Sequence, residues 1–188
     1  MKIKKLANNA LIFATNRAID IIGISIVIVG ILLLISLASF SPNDPNFIFP
    51  ENTEINNFLG FYGSFTADLF FQSFGLISLL VPFSLFFTGI NIILNKKPLL
   101  IIESFFYIIL YLLVGSLFFS FFYYNAFVLY INGNGGFIGQ YFITTFLSPL
   151  VNINPNVSYY LLIIIILTLF LISIHFKIIS FFNFLKKI

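Results

Sequence analysis

Leu76 to Phe122 reads LISLLVPFSLFFTGINIILNKKPLLIIESFFYIILYLLVGSLFFSFF, and its only charged residues are Lys96, Lys97 and Glu103. The apolar run on each side of Lys96-Lys97-Pro98 approaches or exceeds the ~20 residues that carry an α-helix across a bilayer. A short basic turn between two such runs predicts a pair of membrane-spanning helices. Pro98 suits a first helical turn, because its missing N–H is not needed there.

Composition extends this reading to the whole chain. Hydrophobic residues make up 60% and charged residues 8% of the 188, with a mean hydropathy of +1.10. A soluble domain carries about 25% charged residues on its surface, so water is excluded as the main solvent. No cysteine is present, which removes disulfides and thiolate chemistry. Working outward, span two runs from about Asp68 to Leu94 and span three from about Leu99 to Phe122. Span one runs from Ile21 to Phe40 and span four from Tyr159 to Phe176. A Pro- and Asn-rich loop, Ser41 to Asn57, follows span one. Within the segment Tyr123 to Val157, the apolar stretch Phe137 to Leu147 is too short to cross and reads as an interfacial or re-entrant helix. The fold expected is an all-α integral membrane bundle of four transmembrane helices.

Charge sets the expected orientation. The basic residues are Lys2, Lys4, Lys5, Arg17, Lys96, Lys97, Lys177, Lys186 and Lys187. All fall at the two termini or in the turn after span two. The loop after span one carries Asp44, Glu51 and Glu54, and the segment from Tyr123 to Val157 carries no charge. The positive-inside rule then places both termini in the cytoplasm of an inner-membrane protein. A cleaved signal peptide is the rival reading of the N-terminus, but its apolar run exceeds a signal core and Arg17 and Asp20 interrupt the approach. The chain divides into a cytoplasmic segment 1–19, a four-span domain 20–176 and a basic tail 177–188.

Catalytic constellations are absent from the sequence. No phosphate loop of the Gly-Lys-Ser/Thr kind occurs. The glycines at 133, 135, 136 and 139 miss dinucleotide spacing, and read as a tight turn before the short helix. Asp68, Glu103 and His175 are ionisable residues near span ends, where helix dipoles and headgroups accommodate them. Glu103 is expected near Lys96 and Lys97, and Arg17 is expected to pair with Asp20 three residues on. No cofactor, metal or specific nucleic-acid binding is expected. Gly60, Gly63 and Ala67 form a stripe of small residues that allows close helix approach, with Asp68 at its edge and expected to accept from loop amides near Gly135. Gly23 and Gly30 offer the same on span one. Such stripes serve packing within the bundle or contact between subunits.

Several blocks resemble the N-terminal four-span region of FtsK/SpoIIIE-type DNA translocases. Ser39-Phe40-Ser41-Pro42-Asn43-Asp44-Pro45 resembles that family's Ser-aromatic-x-Pro-x-Asp-Pro signature. Asn57 to Leu69, with Gly60, Gly63, Ala67 and Asp68, is similar to its Asn-x-x-Gly-x-x-Gly-Ala-x-x-Ala-Asp-Leu run. Phe74-Gly75, Pro82 and the Gly135-Gly136-Phe137-Ile138-Gly139 segment fall in matching order, so the resemblance covers about 20–176. Phe47 stands where the family often has Trp, and Ser64 replaces Ala. The motor and DNA-reading regions of the family have no counterpart in these residues. The resemblance implies a membrane anchor at the division septum that self-associates and meets other divisome proteins. A small transporter or channel subunit is the alternative, and would need polar groups lining a path at mid-membrane.

Overall fold

The computed structural model describes residues 2–45, 54–124, 132–145 and 147–176, with side chains of the first helix from Asn8 onward. Expectations for Phe47, Glu51, Lys177, Lys186, Lys187 and the side chains of Lys2, Lys4 and Lys5 lie outside the described residues, as does the tail 177–188. Seven α-helices are described: α1 (Lys2–Ala38), α2 (Gly60–Phe74), α3 (Val81–Asn95), α4 (Leu100–Phe122), α5 (Gly136–Ile143), α6 (Leu147–Ile153) and α7 (Pro155–Ser173). A 3-10 segment, Gly75–Leu80, joins α2 to α3. Four helical stretches are long and apolar enough to cross a membrane: Asn8–Ala38, Gly60–Asn95, Leu100–Phe122 and Pro155–Ser173. The four-span reading therefore holds.

Span one begins earlier than expected. No glycine or proline precedes Gly23, so nothing interrupts the helix, and α1 is continuous from Lys2. The helix of the first span thus runs back through segment 1–19 as far as Lys2. α1 packs along α3 through its glycines. A Cβ on Gly23 would lie 2.9 Å from the carbonyl of Gly89, and one on Gly30 3.0 Å from the carbonyl of Pro82. The expected packing role of Gly23 and Gly30 is met within one chain, with Gly89 as a third contributor that the spacing did not reveal. Pro82 itself is fully buried in the first turn of α3. At the end that carries Lys96, Asp20 accepts from Lys96 Nζ and from Arg17 Nη1 at 3.3 Å. Glu103 pairs with neither lysine; it is exposed on α4, while Asp20 lies on the helix that packs against α3. We call this the lysine end and the opposite one the loop end.

Span two needs correction. The stretch Gly60–Asn95 has 36 residues, about 54 Å if straight, far more than the ~30 Å of a hydrocarbon core. It is not straight. Ser78 Oγ donates to the carbonyl of Phe70 at 2.9 Å, a contact between residues eight apart that only a sharp bend permits. Gly75–Asn95 alone measures about 34 Å and makes the crossing. α2 lies over the loop end instead. Its Gly63 carbonyl meets Ser36 of α1, Phe71 meets Phe40 with ring centroids 4.9 Å apart, and its last carbonyl, Phe74, meets Ser116 of α4. The bend falls at Gly75, whose φ of 75° and ψ of −152° are open to glycine alone.

The remaining elements complete the bundle. α4 and α7 pack together, fastened at the loop end by the Tyr123 and Tyr159 hydroxyls 2.7 Å apart and by Phe118 against Tyr159. The last span starts at Pro155 rather than Tyr159. Asn154 caps it by accepting from the Val157 N–H at 3.3 Å, and Pro155 occupies its first turn. The short helix expected before it is present as α5 and extended by α6.

Candidate functional site

The residues singled out from the sequence gather at the loop end, in two clasps on α2. The first binds its start to the end of α1. Asp44 is 1% exposed, and its carboxylate accepts the Asn56 N–H at 2.9 Å, the Asn56 side-chain amide at 3.1 Å and the Asn57 N–H at 2.8 Å. These are charge-assisted bonds, stronger than neutral ones. Asn57, thus placed, donates to the carbonyls of Ser36 at 2.9 Å and Ser39 at 3.2 Å, and its Oδ1 accepts the Leu59 N–H. Carbonyls at the C-terminus of a helix lack partners within it, so Asn57 caps α1 from outside. Ser64 donates to the carbonyl of buried Pro45 at 2.9 Å, and Ser36 to that of Gly63 at 2.6 Å.

The stripe divides here. Ala67 is fully buried, and a Cβ on Gly63 would lie 2.1 Å from Asn57 Oδ1. Gly60 has nothing within 4 Å of its Cβ position. Its φ of 63° shows that it turns the chain into α2 and does not pack. The spacing suggested one role for three residues, and the geometry gives two.

The second clasp binds the far end of α2 to the 132–139 segment. The Asn134 carbonyl accepts the Leu76 N–H at 2.9 Å, and Asn134 Nδ2 donates to the Tyr123 carbonyl. A Cβ on Gly75 would lie 1.9 Å from the Asn134 oxygen, and one on Gly136 2.6 Å from the Gly75 nitrogen. Gly135 and Gly139 face Ser120 of α4, where a Cβ would meet its hydroxyl at 1.8 and 2.1 Å. These four glycines let three backbones meet. Asp68, 8% exposed, has Gln72 Nε2 3.5 Å from its carboxylate. Gln72 in turn accepts from Asn132 at 3.2 Å. The loop is held against α2: the glycines dock at Gly75, and Gln72 joins Asp68 to Asn132.

A third polar group was missed. Ser84, Thr88, Ser104, Tyr111 and Ser173 are each at most 1% exposed and join α3, α4 and α7. Ser84 lies 3.1 Å from the Tyr111 hydroxyl and 2.8 Å from that of Ser173, and Thr88 donates to Ser104 at 2.8 Å. Ser84 and Thr88, four apart on α3, were the available signal, since i and i+4 share a helix face. A cavity of about 630 Å³ lies beneath α2, between α1 and α4. Its lining is apolar apart from the hydroxyls of Ser36, Tyr62 and Thr66, of which those of Ser36 and Thr66 are bonded to carbonyls. It offers no polar path of the sort a transporter needs.

Comparison with known proteins agrees with this arrangement. A family described as the 4TM region of DNA translocase FtsK/SpoIIIE matches residues 15–186. A DNA translocase FtsK of Rickettsia bellii is 34% identical over 64 residues, covering 34% of this chain and 8% of that protein. One of Rickettsia prowazekii is 33% identical over 64 residues, covering 34% and 9%. The match thus spans less than a tenth of the length of these curated relatives. No solved structure matches the chain.

Proposed function

Because the chain belongs to the family of four-transmembrane regions of the FtsK/SpoIIIE DNA translocases, we propose that it is the membrane-anchoring and septum-targeting module of such a translocase, acting in cell division and chromosome partition. One observation supports an anchor over a conduit or an enzyme: apart from Ser120 Oγ and Asn134 Oδ1, the polar side chains buried among the described residues bond to one another and to backbone carbonyls and amides. Asp44 closes on Asn56 and Asn57, and Ser84 on Tyr111 and Ser173. Connected networks of this kind rigidify a core. In this reading the module supplies no catalytic group and binds no nucleic acid specifically. It associates with itself and with other divisome proteins through its lipid-facing surfaces. A fluorescent fusion to the C-terminus should form a midcell band in dividing cells; uniform envelope fluorescence would reject septum targeting.

We place the module in the inner membrane, with both termini and the lysine end in the cytoplasm and the loop end in the periplasm. The sorting of the nine basic residues supports this orientation. Asn43 and Thr144 are exposed at the loop end and Asn95 at the lysine end. Cysteines at the first two should react with an impermeant thiol reagent in spheroplasts, and a cysteine at Asn95 should react only after permeabilisation. The reverse pattern would invert the topology.

A further inference from the structure

α7 ends inside the bundle. Its 19 residues measure about 28 Å, against about 34 Å for α4. Ser173 lies beside Thr88 and Ser104, and α3 continues for about 10 Å past Thr88 before it reaches Asn95. The final carbonyls of a helix have no partner within it, and hydrocarbon supplies none. Here other helices supply them. Ser104 Oγ donates to the Ser173 carbonyl at 2.9 Å, with Thr88 Oγ1 3.4 Å from the same oxygen. Asn91 Nδ2 donates to the Ile174 carbonyl at 3.1 Å. His175, at a φ of 52°, turns its Nε2 to within 3.0 Å of Ser104 Oγ.

Counting protons gives the bonds direction, since each hydroxyl has one hydrogen to donate. Ser173 Oγ donates to the Phe170 carbonyl at 2.7 Å, so Ser84 donates to Ser173 and Tyr111 to Ser84. Thr88 has one hydrogen to share between the Ser84 carbonyl at 2.7 Å and Ser104 Oγ at 2.8 Å, and the direction of the Ser104–His175 contact follows the imidazole tautomer.

We propose that this junction carries mechanical load: tension on the chain beyond Phe176 passes through Ser173, Ile174 and His175 into α3 and α4 and does not unwind α7. This rests on the anchor reading above, since the membrane anchor of a DNA translocase must withstand the pull that translocation puts on it. A helix end exposed to water would need no such bracing. Five buried hydroxyls drawn from three helices place the exit of the last span under the hold of two others.

Single-molecule pulling of the full chain in lipid bicelles tests this. With the handle at the C-terminus, Ser104→Ala and Thr88→Val should each speed the first unfolding step about three- to twentyfold at fixed force, the range expected for an interhelical hydrogen bond in a membrane. Ser104→Thr, which keeps the hydroxyl, should stay near wild type. With the handle at the N-terminus, where α1 leaves first, the same variants should not change the first step. Equal acceleration from both ends would mean a general stabilising role and overturn the proposal. No acceleration from the C-terminus would overturn it too. These readouts do not depend on cellular position, so a failure here is distinct from a failure of septal localisation.

Discussion

Gly75→Ala should unfasten the 132–139 segment from the bundle and lower stability by about 3–5 kcal/mol, at the upper end for a single substitution. Two effects add. The backbone of Gly75 lies in a region open essentially to glycine, and another residue there costs about 1–3 kcal/mol. The new Cβ would also fall 1.9 Å from the Asn134 oxygen, a backbone atom that cannot swing aside. The Leu76–Asn134 bond and the contacts of Gly135 and Gly136 would be lost together. Gly60→Ala is the control. Its φ is also positive but its surroundings are open, so only the left-handed strain of about 1–2 kcal/mol applies. Thermal unfolding in detergent should rank wild type above Gly60→Ala and Gly60→Ala well above Gly75→Ala. Equal losses at the two glycines would show that the Asn134 contact contributes nothing.

The contrast between these glycines marks what could be read before the structure. Four crossings were legible because hydropathy over ~20 residues reports directly on the solvent. The helix ends were less so. Asp68 to Leu94 reads as one run although α2, with Ser64, Thr66, Asp68 and Gln72, is less apolar than α3, α4 or α7. Length alone was no sign, since α1 runs unbroken for 37 residues; the usable one was Gly75, a glycine inside an apolar helical run. Asp44, Gly63, Gly75 and Gly135 were named from sequence, yet their partners were not, since a carboxylate twelve residues from its donors leaves no periodic trace. The stripe of Gly60, Gly63 and Ala67 suggested a single packing face, and left-handed φ at Gly60 is invisible to spacing. Ser84, Thr88, Ser104 and Ser173 escaped notice because each is an ordinary residue in a membrane helix, and only their convergence matters.

Asp44→Ala should release the start of α2 from α1 and cost about 2–4 kcal/mol. The carboxylate accepts three N–H groups from Asn56 and Asn57; Asn57 is buried and its donor left unpaired costs about 1–3 kcal/mol, while those of exposed Asn56 cost less. Partial relaxation of the loop toward water keeps the sum below three full penalties. Asp44→Asn should recover little. Both carboxylate oxygens accept, so an amide of either orientation turns an N–H against an N–H. The damage should spread through Asn57, which caps the Ser36 and Ser39 carbonyls and sets the gap that Gly63 fills. Ser64, 2% exposed and bonded to the Pro45 carbonyl, reports the opening. Cysteine at Ser64 should resist a thiol reagent in the native background and react readily when Asp44 is alanine. Unchanged melting and unchanged labelling in that pair would mean that α2 is held on the bundle by its apolar face, with Ala67 and Phe71 as its buried contacts, and that the Asp-Pro signature serves the loop alone.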